Sequence, residues 1–422
     1  MGYYGSVYAL SSPVGGSDLF IGGRFSNGAY GRNITLYDRF TGGFTKLGEV
    51  TTPSQTEVLA VHRIGPDTVI IGGDFPSIND DSSMAYLALW DGQAWSPING
   101  TGDGLDGAVR AITTFAGDIY VGGVFTQVDG QAIEGVAYWD GDNWSSLLGG
   151  LDGSSTVEVN DLEMFNQSVW IGGQFETADG ASSANLAIWS GNAFLTPPGT
   201  TDGPINDLHL HTDGQGAPGD YVLALGGDFT GAGGIAATGF ITYRSSTDTW
   251  SRLGASLTSG TVNAVYVLNS LDEYLVGGSF NDFAGDTSIN RFAVYRDDAW
   301  STVGTGADGD VHDIVGPYPI GDYLIGGEFD VIGNMTAFGI GRYDYFDDTI
   351  SVYGRGLEGD ATHISLDDNN KPVITGNFLT AGGSPAEMIS RYGTSNWEYL
   401  DNDQIVRTAT IAAAAAAGDK IW

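Results

Sequence analysis

The sequence of 422 residues contains no cysteine and only three lysines. Without cysteine there is no disulfide, no thiolate metal site and no cysteine nucleophile. The 16 Lys and Arg residues stand against 52 Asp and Glu residues, which gives a formal net charge of −36 at pH 7. A field of that sign repels nucleic acid, so we expect no nucleic-acid partner. No run approaches the roughly 18 apolar residues of a membrane-spanning helix, so we also expect no membrane insertion.

Glycine, in contrast, is abundant. The chain has 66 glycines, together with 41% hydrophobic and 12% aromatic residues. This composition supplies enough apolar material for a packed core, and it does not match that of collagen or of a disordered chain. We therefore expect a globular, turn-rich protein.

A six-residue motif recurs along the whole chain. It consists of two hydrophobic residues, two glycines, one variable residue and phenylalanine. Seven copies read FIGGRF, IIGGDF, YVGGVF, WIGGQF, ALGGDF, LVGGSF and LIGGEF, and the eighth, VITGNF, has threonine in place of the first glycine. The first-glycine position falls at residues 22, 72, 122, 172, 226, 277, 326 and 375. Repeats of about 50 residues are typical of propellers and solenoids.

Each repeat contains four short segments with strand character. The GGxF motif is the second, and the fourth carries a large apolar residue such as Trp95 or Trp144. A lone four-stranded unit cannot bury its aromatic residues, so the copies must stack on one another. We predict an all-β fold, a single eight-bladed β-propeller of four-stranded antiparallel blades over residues 1–400, with the recurrent tryptophans in the core and the glycine pair where backbones crowd near the axis. The alternative is seven blades plus an extra repeat.

The last residues differ from the rest. Ile405-Val406-Arg407 resembles the first segment of another repeat and Gly418 to Trp422 resembles the approach to another GGxF, but Ala412 to Ala417 is an unbroken alanine run. We expect residues 401–422 to be a tail or the truncated start of a further repeat.

The repeat resembles known families. Its Gly-Gly pair, its Tyr/Trp-Asp dipeptides such as Trp90-Asp91 and its following Trp95 resemble the kelch repeat. The added Phe of GGxF is more similar to repeats of the fungal cortical polarity-marker family and of secreted bacterial surface proteins. The resemblance implies a propeller fold and leaves the function open, since this fold hosts many functions.

Two sets of loops are rich in Asp and Gly, and in a propeller both sets lie on one face. Repetition then arrays carboxylates around one rim, where Ca²⁺ is a candidate ligand because it prefers six to eight oxygens. The alternative is that Asp-Gly pairs only make turns, and no segment has the spacing of a dedicated calcium loop. The candidate metal-binding residues are Asp103, Asp106, Asp129, Asp152, Asp179, Asp202, Asp308 and Asp310.

Two further sets of polar residues are candidates for a function. His209 and His211 point the same way on a predicted strand, as a metal pair would, although an ordinary packing role is favoured. Arg110, Asn160 and His312 follow the first residue of their predicted strands and are candidates to line a water-filled central channel.

No catalytic motif accompanies the repeats, so we expect a protein that is not an enzyme and has no cofactor. The favoured function is a structural or interaction module outside the cell or on a surface, such as a cell envelope, an appendage or a virion, with a protein or glycan partner at the loop face and a capacity for self-assembly. The alternative is a propeller that binds or hydrolyses carbohydrate through two rim carboxylates.

Overall fold

A computed structural model describes most of the chain. The described residues are 6–11, 18–27, 31–38, 43–47, 57–65, 68–98, 104–212, 220–254, 257–268, 273–283, 286–316, 321–337, 339–352, 356–366, 372–381, 384–385, 389–392 and 397–399. The expected tail, residues 401–422, lies outside them.

The described strands form antiparallel sheets that follow the sequence repeat, each with four main strands in chain order. The first four sheets comprise, for sheet 1, Ser6–Ser11, Asp18–Asn27, Gly31–Asp38 and Gly43–Lys46; for sheet 2, Glu57–Arg63, Val69–Asp74, Leu87–Trp90 and Trp95–Pro97; for sheet 3, Ala108–Phe115, Asp118–Val124, Val136–Trp139 and Trp144–Ser146; and for sheet 4, Glu158–Phe165, Ser168–Gln174, Leu186–Trp189 and Phe194–Leu195.

The remaining sheets have the same order, and a 3₁₀ turn, Ser82–Met84, lies in sheet 2 between its second and third strands. They comprise, for sheet 5, Ile205–His211, Val222–Gly227, Phe240–Arg244 and Thr249–Ser251; for sheet 6, Val262–Val267, Tyr274–Gly278, Phe292–Arg296 and Ala299–Ser301; for sheet 7, Val311–Val315, Asp322–Gly327, Ile340–Asp344 and Thr349–Val352; and for sheet 8, Leu357–Leu366, Pro372–Ala381, Ile389–Tyr392 and Trp397–Tyr399, with Ser384–Pro385 paired to its second strand.

The core lies between the sheets. In the described part of the chain, apolar clusters fill the interfaces of successive sheets from sheet 1 to sheet 7. First strands of successive sheets are neighbours throughout, and the first strand of sheet 1 also contacts the first two strands of sheet 8. Four-stranded antiparallel sheets stacked in chain order define a fold of the β-propeller type.

The glycine pair has two separate roles. A Cβ on Gly172 would lie 2.8 Å from Leu208 Cδ2 of the next sheet, so the first glycine makes room for the neighbouring sheet. A Cβ on Gly173 would lie 2.0 Å from the backbone oxygen of Glu158, so the second glycine makes room for the first strand of its own sheet. The predicted crowding of backbones is confirmed at Gly173, whereas Gly172 is crowded by side chains of the next sheet.

The recurrent tryptophans whose side chains the structure describes pack between sheets, as predicted, while the Trp397 side chain lies outside the description. Trp144 is only 3% exposed, and its indole Nε1 donates a hydrogen bond of 2.7 Å to Ile98 O, after the preceding sheet. Trp95 and Trp300 make the same bond to Leu47 O and Leu253 O. Each of these rings therefore both fills an apolar interface and ties one repeat to the one before it.

Candidate functional site

The rim is defined here as the end of the sheets where the second strand leads into the third. In sheet 3 this connection is a small hairpin, Gln127–Val128 with Gln131–Ala132, and Val128 bridges to Leu105 in the segment that precedes the first strand. Sheets 4, 5 and 7 repeat the arrangement with Leu151–Asp152, Thr177–Ala178 and Ala181–Ser182; Gly231–Ala232 and Ile235–Ala236; and Val331–Ile332 and Met335–Thr336. Both sets of Asp-rich loops therefore meet on one face.

Asp106 and Asp202 bind the backbone of these hairpins in the same way. Asp106 accepts hydrogen bonds from Thr126 N at 2.7 Å, Thr126 Oγ1 at 2.6 Å and Gln127 N at 2.8 Å. Asp202, two repeats later, accepts the three equivalent hydrogen bonds from Thr230 N, Thr230 Oγ1 and Gly231 N. Partial burial acts to raise the pKa of Asp106, but the bonds from Thr126 and Gln127 outweigh it and hold that pKa below its ordinary value.

The other candidate carboxylates that the structure describes also have protein partners. Asp308 accepts from two rim amides, of Asp330 and Val331. Asp129 and Asp179 occupy the hairpin turns and accept from Gly104 N and Gly149 N, while Asp152 accepts from Gly153 N and Asp310 pairs with Arg291 Nε at 2.9 Å. Asp103 lies outside the described residues. Among the described residues no group of three or more His, Asp or Glu side chains is placed to hold a metal, and calcium binding stays a prediction.

A β-bulge on the first strand leaves one residue of most sheets out of register with the second strand. In sheet 4 the register with the second strand shifts between Val159 and Asp161, so Asn160 is the extra residue. Arg110, Asn206, Asn263 and His312 occupy the same position in sheets 3, 5, 6 and 7. Of these residues, Arg110, Asn160 and His312 are the ones expected from the sequence to line a channel. His312 Nε2 lies 3.1 Å from Glu328 Oε1 within its own sheet.

The inner edge of the first strands is capped by side chains of the preceding sheet. Asn160 Nδ2 donates to Ile205 O at 2.9 Å, and Asp161 Oδ2 accepts from Leu208 N at 3.1 Å. We name the second kind of bond the aspartate latch. It recurs from Asp207 to Val265 N and from Asp313 to Ile364 N, both at 2.8 Å. The sequence signal for this bond is the Asp of Val159-Asn160-Asp161-Leu162, a residue not singled out from the sequence.

The histidine pair is part of a packed aromatic group. The rings of His209 and His211 are stacked with centroids 6.3 Å apart, and His209, 4% exposed, lies 4.9 Å from the Tyr266 ring of the next sheet. The structure therefore brings the two histidines together, and His209 packs against sheet 6.

Comparison with known proteins bears on the fold alone. No protein-family model matches the chain, and no curated protein matches it. Among solved structures, the computationally designed Ika8 protein matches with a TM-score of 0.54 and 14% identity over 93% of this chain and 97% of that one. Sqt1 of Saccharomyces cerevisiae (TM-score 0.48, 9% identity, 94% and 96% covered) and the WD40 beta propeller domain of Doa1 (0.44, 10%, 93% and 95%) are also similar. The resemblance to kelch and polarity-marker repeats stays a prediction.

One structural feature relevant to membranes is the length and polarity of the helices. Within the described ranges, no helix has the length and apolar character required to cross a bilayer.

Proposed function

We propose that the sheets are eight blades of one closed propeller and that the rim is its interaction face. In this proposal the protein is a non-catalytic module, displayed outside the cell or on a surface, and the rim binds a protein or glycan partner. The contact of sheet 1 with sheet 8 supports closure, because a ring requires its first and last blades to meet.

The observation that carries the interaction role is the rigid construction of the rim. Asp106, Asp202 and Asp308 each bind two backbone amides of a hairpin, so the hairpins are held in place before any partner arrives. Preorganised loops lose less conformational entropy on binding. The residues that follow the turns are exposed and differ between sheets, as in Gln131 and Met335. A fixed backbone with variable tips suits recognition.

Site-specific photo-crosslinking tests this role. A benzophenone amino acid replaces Gln131 on the rim or, as the matched control, Gln93 on the hairpin at the opposite end of sheet 2; both glutamines are exposed. The labelled proteins are irradiated on the cells that produce them. We expect discrete adducts from position 131 and none from position 93. Equal labelling from both positions, or none from either, would contradict an interaction face at the rim.

The carbohydrate-hydrolysing alternative is tested with the same preparation. We expect a panel of p-nitrophenyl glycosides to remain intact in its presence. Turnover that disappears when rim carboxylates are changed to amides would replace the non-catalytic proposal.

A further inference from the structure

A polar pocket of about 380 Å³, open to the surface, lies at the rim end of the first strands. Its wall draws on four successive sheets, with Arg110 from sheet 3, Glu158 and Asn160 from sheet 4, Asn206 from sheet 5 and Thr261 from the start of sheet 6. Asp228, the variable residue of a GGxF motif, completes the wall and is exposed. The hairpin-binding aspartates of the rim and the aspartate latches do not use the carboxylate of Asp228.

The hydrogen bonds of the wall fix which atoms face the pocket. Asn206 donates one of its two Nδ2 N–H groups to Val262 O at 3.3 Å, and a backbone oxygen can only accept, so this bond sets the orientation of the amide and leaves Oδ1 to accept from a ligand. Gln174, which also lines the pocket, donates from Nε2 to Ser155 Oγ at 3.0 Å, and its Oε1 remains an acceptor. The amides therefore present acceptors.

The charges point the same way. The Arg110 guanidinium is held by Glu158 Oε2 and Asn160 Oδ1, each at 2.7 Å from Nη1, so it is already neutralised by a carboxylate. Among the described residues no hydrogen-bond donor pairs with the Asp228 carboxylate. The wall thus carries one net negative charge and a surplus of acceptors, within a chain of net charge −36. Anions are repelled, and a cation with several N–H donors is attracted.

We propose that this pocket binds a single ammonium or guanidinium group, carried by a free amine or by a lysine or arginine side chain of a partner. Asp228 supplies the charge, and the oxygens of Asn206 and Gln174 accept the N–H bonds. The proposal deepens the interaction role of the rim end and rests on it only for the choice of a partner's side chain as the source.

Calorimetric titration tests the proposal with defined probes. Agmatine and N-acetyl-lysine methylamide carry the cation, and N-acetyl-norleucine methylamide is the neutral control of similar shape. We expect both cations to bind, with at least tenfold weaker binding to Asp228→Asn. The matched variant is Asp74→Asn, which makes the same change at the same motif position of sheet 2, outside this pocket; its affinity should stay within twofold of the unaltered protein.

Each outcome either identifies the source of the bound cation or rules out a cation site at Asp228. Binding of agmatine alone assigns a free amine, and binding of the lysine derivative as well admits a partner's side chain. Equal binding of the norleucine derivative, equal losses in the two variants, or tighter binding of CaCl₂ that Asp228→Asn abolishes would overturn the proposal. Photo-crosslinks from position 131 are independent of these titrations, so the pocket can fail while the rim proposal stands.

Discussion

The interface between sheets 4 and 5 and the interface between sheets 6 and 7 share their apolar contact and differ in their polar one. In the first, Gly172 faces Leu208; in the second, Gly277 faces Val311. Both have an asparagine that donates to the next inner strand. Only the first has an aspartate latch, because the residue equivalent to Asp161 in sheet 6 is Ala264. The glycine, the branched apolar residue and the asparagine bond are therefore shared by both interfaces, and the latch is an addition.

The interface between sheets 2 and 3 has a different residue in contact with the first strand of the next sheet. His62 occupies the position that Glu163 has in sheet 4, where Glu163 accepts from Leu210 N at 2.9 Å. His62 Nε2 instead lies 3.4 Å from Thr114 Oγ1, and its Nδ1 is buried without a hydrogen-bond partner in the described part of the structure. This interface therefore depends on a neutral imidazole.

The largest effect is expected from the shared element, the second glycine. Gly173→Ala places a methyl group 2.0 Å from Glu158 O. The first and second strands of sheet 4 must move apart to relieve this clash. We expect a loss of about 4 kcal/mol in the free energy of unfolding, measured by urea denaturation. Gly153→Ala is the control, since its nearest atom would lie at 3.5 Å. Equal stability of the two variants would contradict the assigned role.

The next effect is the pH dependence of His62. Burial lowers the pKa of His62 from 6.5 to about 4, so the folded protein resists a proton that the unfolded chain accepts. The contribution of His62 to the free energy of unfolding is fully present above pH 6.5. It is lost as the pH drops toward 4, and the loss is about 3 kcal/mol. Denaturation at pH 7 and pH 4.5 should show a smaller loss for His62→Gln than for the unaltered protein. Parallel losses would show that His62 is protonated in the folded state.

Removal of an aspartate latch converts an interface that has the latch into one that lacks it. Asp207→Ala makes sheet 5 resemble sheet 6 and leaves Val265 N without its acceptor. We expect a loss of about 1–2 kcal/mol and faster hydrogen exchange at the Val265 amide. Asp142→Ala, on an exposed hairpin, should change neither quantity. An unchanged exchange rate in Asp207→Ala would mean that the latch adds nothing.

The smallest effect is expected at the rim. Asp202→Ala removes three hydrogen bonds from an exposed hairpin, and we expect a loss of about 1 kcal/mol in unfolding free energy. Added CaCl₂ or a chelator in low-salt buffer should leave the melting midpoint unchanged if the rim carboxylates act only on the backbone. A rise with CaCl₂ that Asp202→Ala abolishes would instead confirm the calcium prediction.

The sequence was sufficient for the repeated part of the fold and insufficient for contacts between repeats. The period of the GGxF motif and the turn residues predicted four strands per unit, because these signals are local. The partner of Asp161 lies 47 residues away and is a backbone amide, which has no sequence signature. The pocket near Asp228 was missed for a related reason, since its wall combines four sheets. Arg110 and Asn160 occupy the bulge position of neighbouring sheets, where their side chains form a hydrogen bond of 2.7 Å.

The most direct test of the closed ring is a pair of distances measured by pulsed electron spin resonance. The chain has no cysteine, so spin labels can be placed cleanly at exposed hairpin residues of sheets 2, 5 and 7, as Gln93→Cys with Thr247→Cys and Gln93→Cys with Asp347→Cys. In a closed ring of eight, sheet 2 is three blades from sheet 5 in one direction and three from sheet 7 in the other, so we predict equal distances. A clearly shorter second distance would indicate seven blades plus an extra repeat, and a much longer one would indicate an open array; either result would contradict the eight-bladed ring.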